Sequence, residues 1–118
     1  MQINWNNKEP IYLQLRDRLV ELIMDGDLTE GDALPSVRQI SSEQRINPIT
    51  VSKALQLLVD DGLVEKKRGL GMYVVNGARE QLAKQEREKF LHDEWPQIAE
   101  RIERLGLALD DLIGRDKN

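Results

Sequence analysis

A serine–glutamine pair at Ser36 and Gln39 and an asparagine–proline pair at Asn47 and Pro48 leave this chain room for little but two short helices joined by a tight turn. Ser36 and Gln39 have the spacing of a capping box, in which the hydroxyl takes the N–H three residues on and the amide side chain reaches back. A helix is therefore predicted from Val37. Asn47 can accept from the orphan amides of a first turn, and proline at the first helical position gives up a donor that had no partner. The spacer Gln44 to Ile46 permits only a helix-turn-helix connection.

The second helix has two unlike faces. Val51, Ala54, Leu55 and Leu58 fall at i, i+3, i+4 and i+7, the stripe of a helix packed on a core. Ile49, Thr50, Ser52, Lys53 and Gln56 lie off that stripe, giving an outward face with one cation, two hydroxyls and no carboxylate. Such a face suits a DNA major groove, where the N-terminal residues of a recognition helix reach base edges.

The net charge of −4 speaks against nucleic-acid binding until its distribution is considered. Residues 34 to 77 hold six cations against four carboxylates, a local +2, whereas the remainder holds 11 against 17, or −6. A cationic face on an acidic body can engage phosphates while repulsion disfavours unspecific docking. Hydrophobic residues at 40% with 32% charged indicate an ordered globular chain, and with five aromatics the core must be aliphatic. The absence of cysteine excludes disulfides and thiolate chemistry. No signal-like or membrane-length apolar run is present, so a cytoplasmic protein with no membrane partner is expected.

In chain order, residues 1 to 9 look like an irregular arm. Pro10 opens a helix with Ile11, Leu15, Leu19, Leu22 and Ile23 repeating at three and four, capped by Gly26. Ala33-Leu34 has the character of a very short strand. After Asp60-Asp61-Gly62 ends the recognition helix, Leu63 to Arg68 and Met72 to Val75 are predicted strands joined by the turn Gly69-Leu70-Gly71. A hairpin after a helix-turn-helix makes a winged helix. It brings Lys66, Lys67 and Arg68 to where a wing would meet backbone or minor groove.

From Ala78 the composition turns highly charged and helix-forming. Trp95, Ile98, Ile102 and Leu105 then form a clear stripe, followed by Leu109, Leu112 and Ile113. Pro96 must kink one long helix or start a second. A tail of 41 residues stands at the roughly 40-residue limit for a core of its own and cannot cover this stripe by itself, and these seven residues are therefore expected to pack on a second copy of the chain. The expected class is mainly α with a small β-hairpin: a winged helix-turn-helix DNA-binding domain at 1–77 and a helical dimerisation tail at 78–118.

The order Gly31-Asp-Ala-Leu-Pro-Ser36-Val-Arg38, Asn47-Pro-Ile-Thr-Val-Ser-Lys53-Ala, Gly62-Leu-Val-Glu and Arg68-Gly-Leu-Gly-Met-Tyr-Val74 resembles the GntR-type bacterial transcription regulators over about residues 10 to 75. The short tail resembles the YtrA-like branch, whose members dimerise through a few C-terminal helices and commonly repress operons that include ABC transporters. The resemblance implies DNA contacts at Arg38, at Pro48, Thr50, Ser52 and Lys53, and at Arg68 and Gly69 of the wing. Ser36, Asn47, Ile49 and Lys67 complete the expected DNA-contacting set. Many members outside this branch carry arginine where Pro48 and Ser52 stand, which shifts the expected burden to Arg38 and Lys53. Met72 replaces the usual threonine in the hairpin.

These features predict a homodimeric repressor on a two-fold symmetric double-stranded operator, without a cofactor or a metal. The rival is a winged helix whose basic wing binds an acidic protein. It differs in not needing Arg38, Thr50, Lys53 and Arg68 on one surface. An enzyme is disfavoured, since His92 is the only histidine and no Gly-rich loop joins a strand to a helix. A small-molecule effector of unknown identity, where one acts, is expected between tail and winged helix or between subunits.

Overall fold

The structure, a computed structural model, describes residues 1–114; positions 115–118, the end of the expected tail, lie outside the described residues. The chain divides into two compact units, Met1–Ala83 and Lys84–Asn118. The first contains α1 (Ile11–Met24), α2 (Val37–Gln44), α3 (Pro48–Asp60), the strands β1 (Val64–Lys67) and β2 (Gly71–Val74), and the start of α4 (Ala78–Lys89). A π-helical turn (Phe90–Glu94), α5 (Trp95–Leu105) and the short α6 (Leu109–Leu112) follow in the second.

The first unit is built on one aliphatic core. Leu15, Leu19 and Ile23 of α1 meet Ile40 of α2 and the whole predicted stripe of α3, namely Val51, Ala54, Leu55 and Leu58. Leu63, Val64 and Val74 seal it from the hairpin side, and Ala78 and Leu82 bring the first turns of α4 into the same core. Of the α1 repeat, Ile11 is exposed and Leu22 half-buried, so the buried stripe is narrower than the spacing predicts.

The N-terminal arm is irregular, as expected, yet it is tied down. The buried Gln14 side chain accepts from the Asn6 N–H at 2.9 Å and donates to the carbonyls of Asn6 and Glu9 at 3.0 and 2.8 Å. An amide buried this way keeps its donors and acceptor satisfied. Gln44 at the end of α2 holds the Met1 carbonyl at 2.8 Å.

In the second unit no described residue is buried. Pro96 stands in the first turn of α5 and does not break the chain's helical course. Lys89, Glu94 and Trp95 all keep right-handed helical dihedrals. The Trp95 N–H reaches back to the Phe90 carbonyl, a five-residue step. That wider turn gives room where the proline ring would press on the carbonyl four residues earlier. Gly106 ends α5 in the left-handed region at φ 69°, with the Leu107 N–H on the Ile102 carbonyl at 3.1 Å.

Candidate nucleic-acid interface

The two helices of the central motif begin where the local chemistry says they should. Ser36 Oγ accepts from the Gln39 N–H at 3.0 Å and Gln39 Oε1 from the Ser36 N–H at 2.9 Å, a complete capping box. Asn47 Oδ1 accepts from the Ile49 N–H at 2.8 Å, with Pro48 in the first turn of α3. Between them Arg45 adopts the left-handed conformation at φ 57°, an unusual choice for a side chain of its size. The turn is held by the Ser41 hydroxyl, which donates to the Ile46 carbonyl at 2.6 Å.

The wing is anchored to the segment that leads into α2. Gly31 and Leu34 donate to the carbonyls of Val74 and Met72, both at 2.8 Å, and Val74 donates to Asp32 at 2.9 Å. Ala33 thus forms an isolated antiparallel bridge to Tyr73 beside the two-stranded hairpin, in place of the expected short strand. The preceding turn is closed by Asp32, whose carboxylate accepts from both the N–H and the hydroxyl of Thr29 at 2.8 Å. The Thr29 backbone bond, then the hydroxyl, hold this carboxyl below its ordinary range.

The hairpin register differs by one residue from the expectation. Lys67 pairs with Gly71, so the connection is Arg68–Leu70 and not Gly69–Gly71. The Leu70 N–H closes a β-turn on the Lys67 carbonyl at 2.8 Å, and Gly69 at φ 76° occupies its third position. A type II turn demands a positive φ there, which glycine supplies without steric cost. The sequence carries glycine at both 69 and 71, so either could have been placed at the bend. As a result Arg68 lies at the tip.

Strand alternation also divides the basic run. Lys66 shares a face with the buried Val64, whereas Lys67 and Glu65 lie on the other face with Tyr73. Lys66 lines a groove between wing and helices together with Ser36, Ser52, Gln56, Lys67 and Gly69. Ser36, Ser52, Lys67 and Gly69 of the expected set therefore share one surface. Arg38, Asn47, Pro48 and Ile49 are exposed at the helix starts, and Thr50 is half-buried.

Lys53 lies apart from that groove. Its ammonium sits 4.1 Å from the centroid of the Tyr12 ring on α1. On the wing, the Lys67 ammonium lies 4.7 Å from the Tyr73 ring, while the Tyr73 hydroxyl donates to the Leu70 carbonyl at 3.3 Å. Tyr12 was not legible as part of this surface, because contact between α1 and α3 is a tertiary fact that spacing does not encode. Ile49 is 76% exposed and Leu70 71%, so both apolar side chains project into solvent beside the cations.

Residues 11–74 match the family described as bacterial regulatory proteins, gntR family. The HTH-type transcriptional repressor YtrA of Bacillus subtilis is 39% identical over 79 residues, an alignment covering 67% of this chain and 61% of that protein. Among solved structures, a transcriptional regulator from Oenococcus oeni superposes with a TM-score of 0.78 at 30% identity, covering 97% of this chain and 99% of that one. YtrA from Sulfolobus acidocaldarius, a GntR-family transcription factor, gives 0.60 at 31% identity, with 89% and 95% covered.

Proposed function

This chain belongs to the GntR family and is a YtrA-like DNA-binding transcription regulator, not an enzyme, and we propose that it represses its targets as a homodimer on a two-fold symmetric operator. The observation that carries the dimer is the bare second unit. Trp95, Ile98, Leu105, Leu109, Leu112 and Ile113 are each 40% or more exposed, and Ile102 is only half-buried. Apolar patches of this extent usually mark an interface. A segment of this length cannot cover them by itself. A second copy offers the same stripe, and an isologous contact between two such stripes is self-complementary.

Each winged helix would then present α3 to a major groove, with Thr50, Ser52 and the exposed Ile49 toward base edges. Ile49 can meet only an apolar feature there, and the thymine methyl is the one the groove offers. Arg38 at the start of α2 would add a base contact, and Arg68 at the wing tip would hold the flanking backbone, with Lys67 and Gly69 beside it. Ser36, Asn47 and Pro48, whose first duty is to start the two helices, would lie close enough to the duplex to donate or pack. The repressor assignment is supported by the name of the B. subtilis relative. Among the described residues no helix is long and apolar enough to cross a membrane, which accords with action on DNA in the cytoplasm.

Selection of genomic DNA fragments by the purified protein tests this reading. Recovery of inverted repeats whose halves are centred a whole number of helical turns apart is the expected result. Recovery of only direct repeats or single half-sites would contradict two-fold binding, and recovery of no enriched sequence would contradict specific binding altogether.

A further inference from the structure

Resting on the DNA reading just given, we infer that Tyr12 is a positioning residue for DNA binding: its ring holds the Lys53 ammonium where it grips a backbone phosphate. The geometry carries the step. Lys53 is exposed on the recognition helix, and its Nζ lies 4.1 Å from the Tyr12 centroid, well inside the reach of a cation over an aromatic face. A ring face occupies one side of an ammonium and accepts no conventional hydrogen bond, so the N–H donors on the other side stay available to a phosphate. Tyr12 is half-buried and packed against the core of the first unit, so it is a fixed platform. A lysine stem that is ordered before binding loses less rotamer freedom when it docks.

This also changes what Lys53 does. An ammonium tethered to α1 is drawn away from the groove lined by Ser52 and Gln56, and so away from base edges toward the strand backbone. Phosphate contacts set register and affinity without reading sequence. The wing repeats the device, with Lys67 over Tyr73 at 4.7 Å and the Tyr73 hydroxyl bracing the turn at Leu70. Two cations of the candidate interface, one on the helix and one on the wing, are thus each set on a tyrosine.

The test is a double-mutant cycle on the full chain, with a duplex recovered in the genomic selection. Tyr12→Leu should weaken binding about two- to tenfold, the ordering cost of one long side chain that the preformed contact spares. Tyr12→Phe, which keeps the ring face, should bind like the parent. Lys53→Gln should lower the salt slope by about 0.9, as one lost phosphate contact does, and weaken unrelated duplexes equally. In the Lys53→Gln background, Tyr12→Leu should have no further effect. In the free protein, the Lys53 Hε protons should be shifted upfield by the ring in parent and Tyr12→Phe, and not in Tyr12→Leu. Thermal unfolding of each variant separates loss of fold from loss of positioning. Independent, additive losses from Tyr12→Leu and Lys53→Gln would overturn the inference alone, as would parent-like binding by Tyr12→Leu. Failure to recover any duplex would overturn the DNA reading and this inference with it.

Discussion

The Glu30 carboxylate accepts a hydrogen bond from the Gly77 N–H at 2.8 Å, across 47 residues of chain. Gly77 stands just before α4, so the carboxylate caps that helix from a neighbouring turn and meets the positive end of its dipole. The reciprocal contact runs from α4 back to α1: Arg79 Nε donates to the Met24 carbonyl at 2.8 Å, in the last turn of α1. With Ala78 and Leu82 in the core, the start of α4 is an integral part of the winged-helix unit.

Removing the Glu30 cap should therefore cost stability. Glu30→Ala is expected to lower the unfolding free energy by about 0.5 to 2 kcal/mol, the usual value of a lost helix N-cap. Glu30→Gln should retain most of it, because its amide oxygen still accepts. Urea denaturation measures both, and equal midpoints for Glu30→Ala and the parent would show that the contact contributes nothing.

Arg38→Ala should weaken operator binding while leaving thermal unfolding unchanged, since the side chain is exposed and Ser36 and Gln39 make the cap without it. If Arg38 reads a base, the loss should be about 1 to 3 kcal/mol and confined to the cognate site. A uniform loss across sequences would assign it to the backbone. Titration of cognate and scrambled duplexes distinguishes the two.

The wing should act mainly through charge. Replacing Lys66, Lys67 and Arg68 by Gln should reduce the salt slope by up to about 2.7, roughly 0.9 for each phosphate contact released. Because alternation sets Lys66 on the face of the buried Val64 and Lys67 on the face of Tyr73, whose ring its ammonium meets, the two single variants should not be equivalent. A triple variant with the parent's slope would place the wing away from DNA.

The Thr29–Asp32 turn gives a pH signature. Asp32 has its folded value lowered by the Thr29 backbone bond first and the hydroxyl second. A carboxyl lowered on folding contributes stability that is full above its unfolded value and is lost as pH falls through the folded one. The stability gap between the parent and Asp32→Ala should accordingly be widest near neutrality and close below the ordinary carboxylate range. A gap independent of pH would mean that the turn is held by something other than ionised Asp32.

Local chemistry made most of the winged helix legible. The Ser36–Gln39 box and the Asn47–Pro48 start each depend on residues within one turn, and both helices begin where those signals lie. The stripe Val51, Ala54, Leu55, Leu58 is likewise a local pattern, and all four are buried. The hairpin turn was legible only to within one residue, because Gly69 and Gly71 both satisfy its conformational demand and cross-strand pairing decides between them. What sequence did not reveal depends on distant chain segments meeting: Gln14 and Gln44 tying down the arm, Glu30 on Gly77, and Tyr12 beneath Lys53. The response to Pro96 was hidden for a related reason. A π-helical turn is a backbone accommodation with no residue signature of its own.

The central claim, a two-fold regulator joined through its C-terminal stripe, is tested most directly by the mass of the protein–DNA complex. Sedimentation of the full chain with a selected duplex should give two protein chains per duplex. A fragment ending at Ala83, which keeps Ala78 and Leu82 in the core, should bind the same duplex more weakly and without cooperation between half-sites, since the second is no longer presented at high effective concentration. One full-length chain per duplex, or a fragment that still pairs on DNA with the parent's affinity, would contradict it.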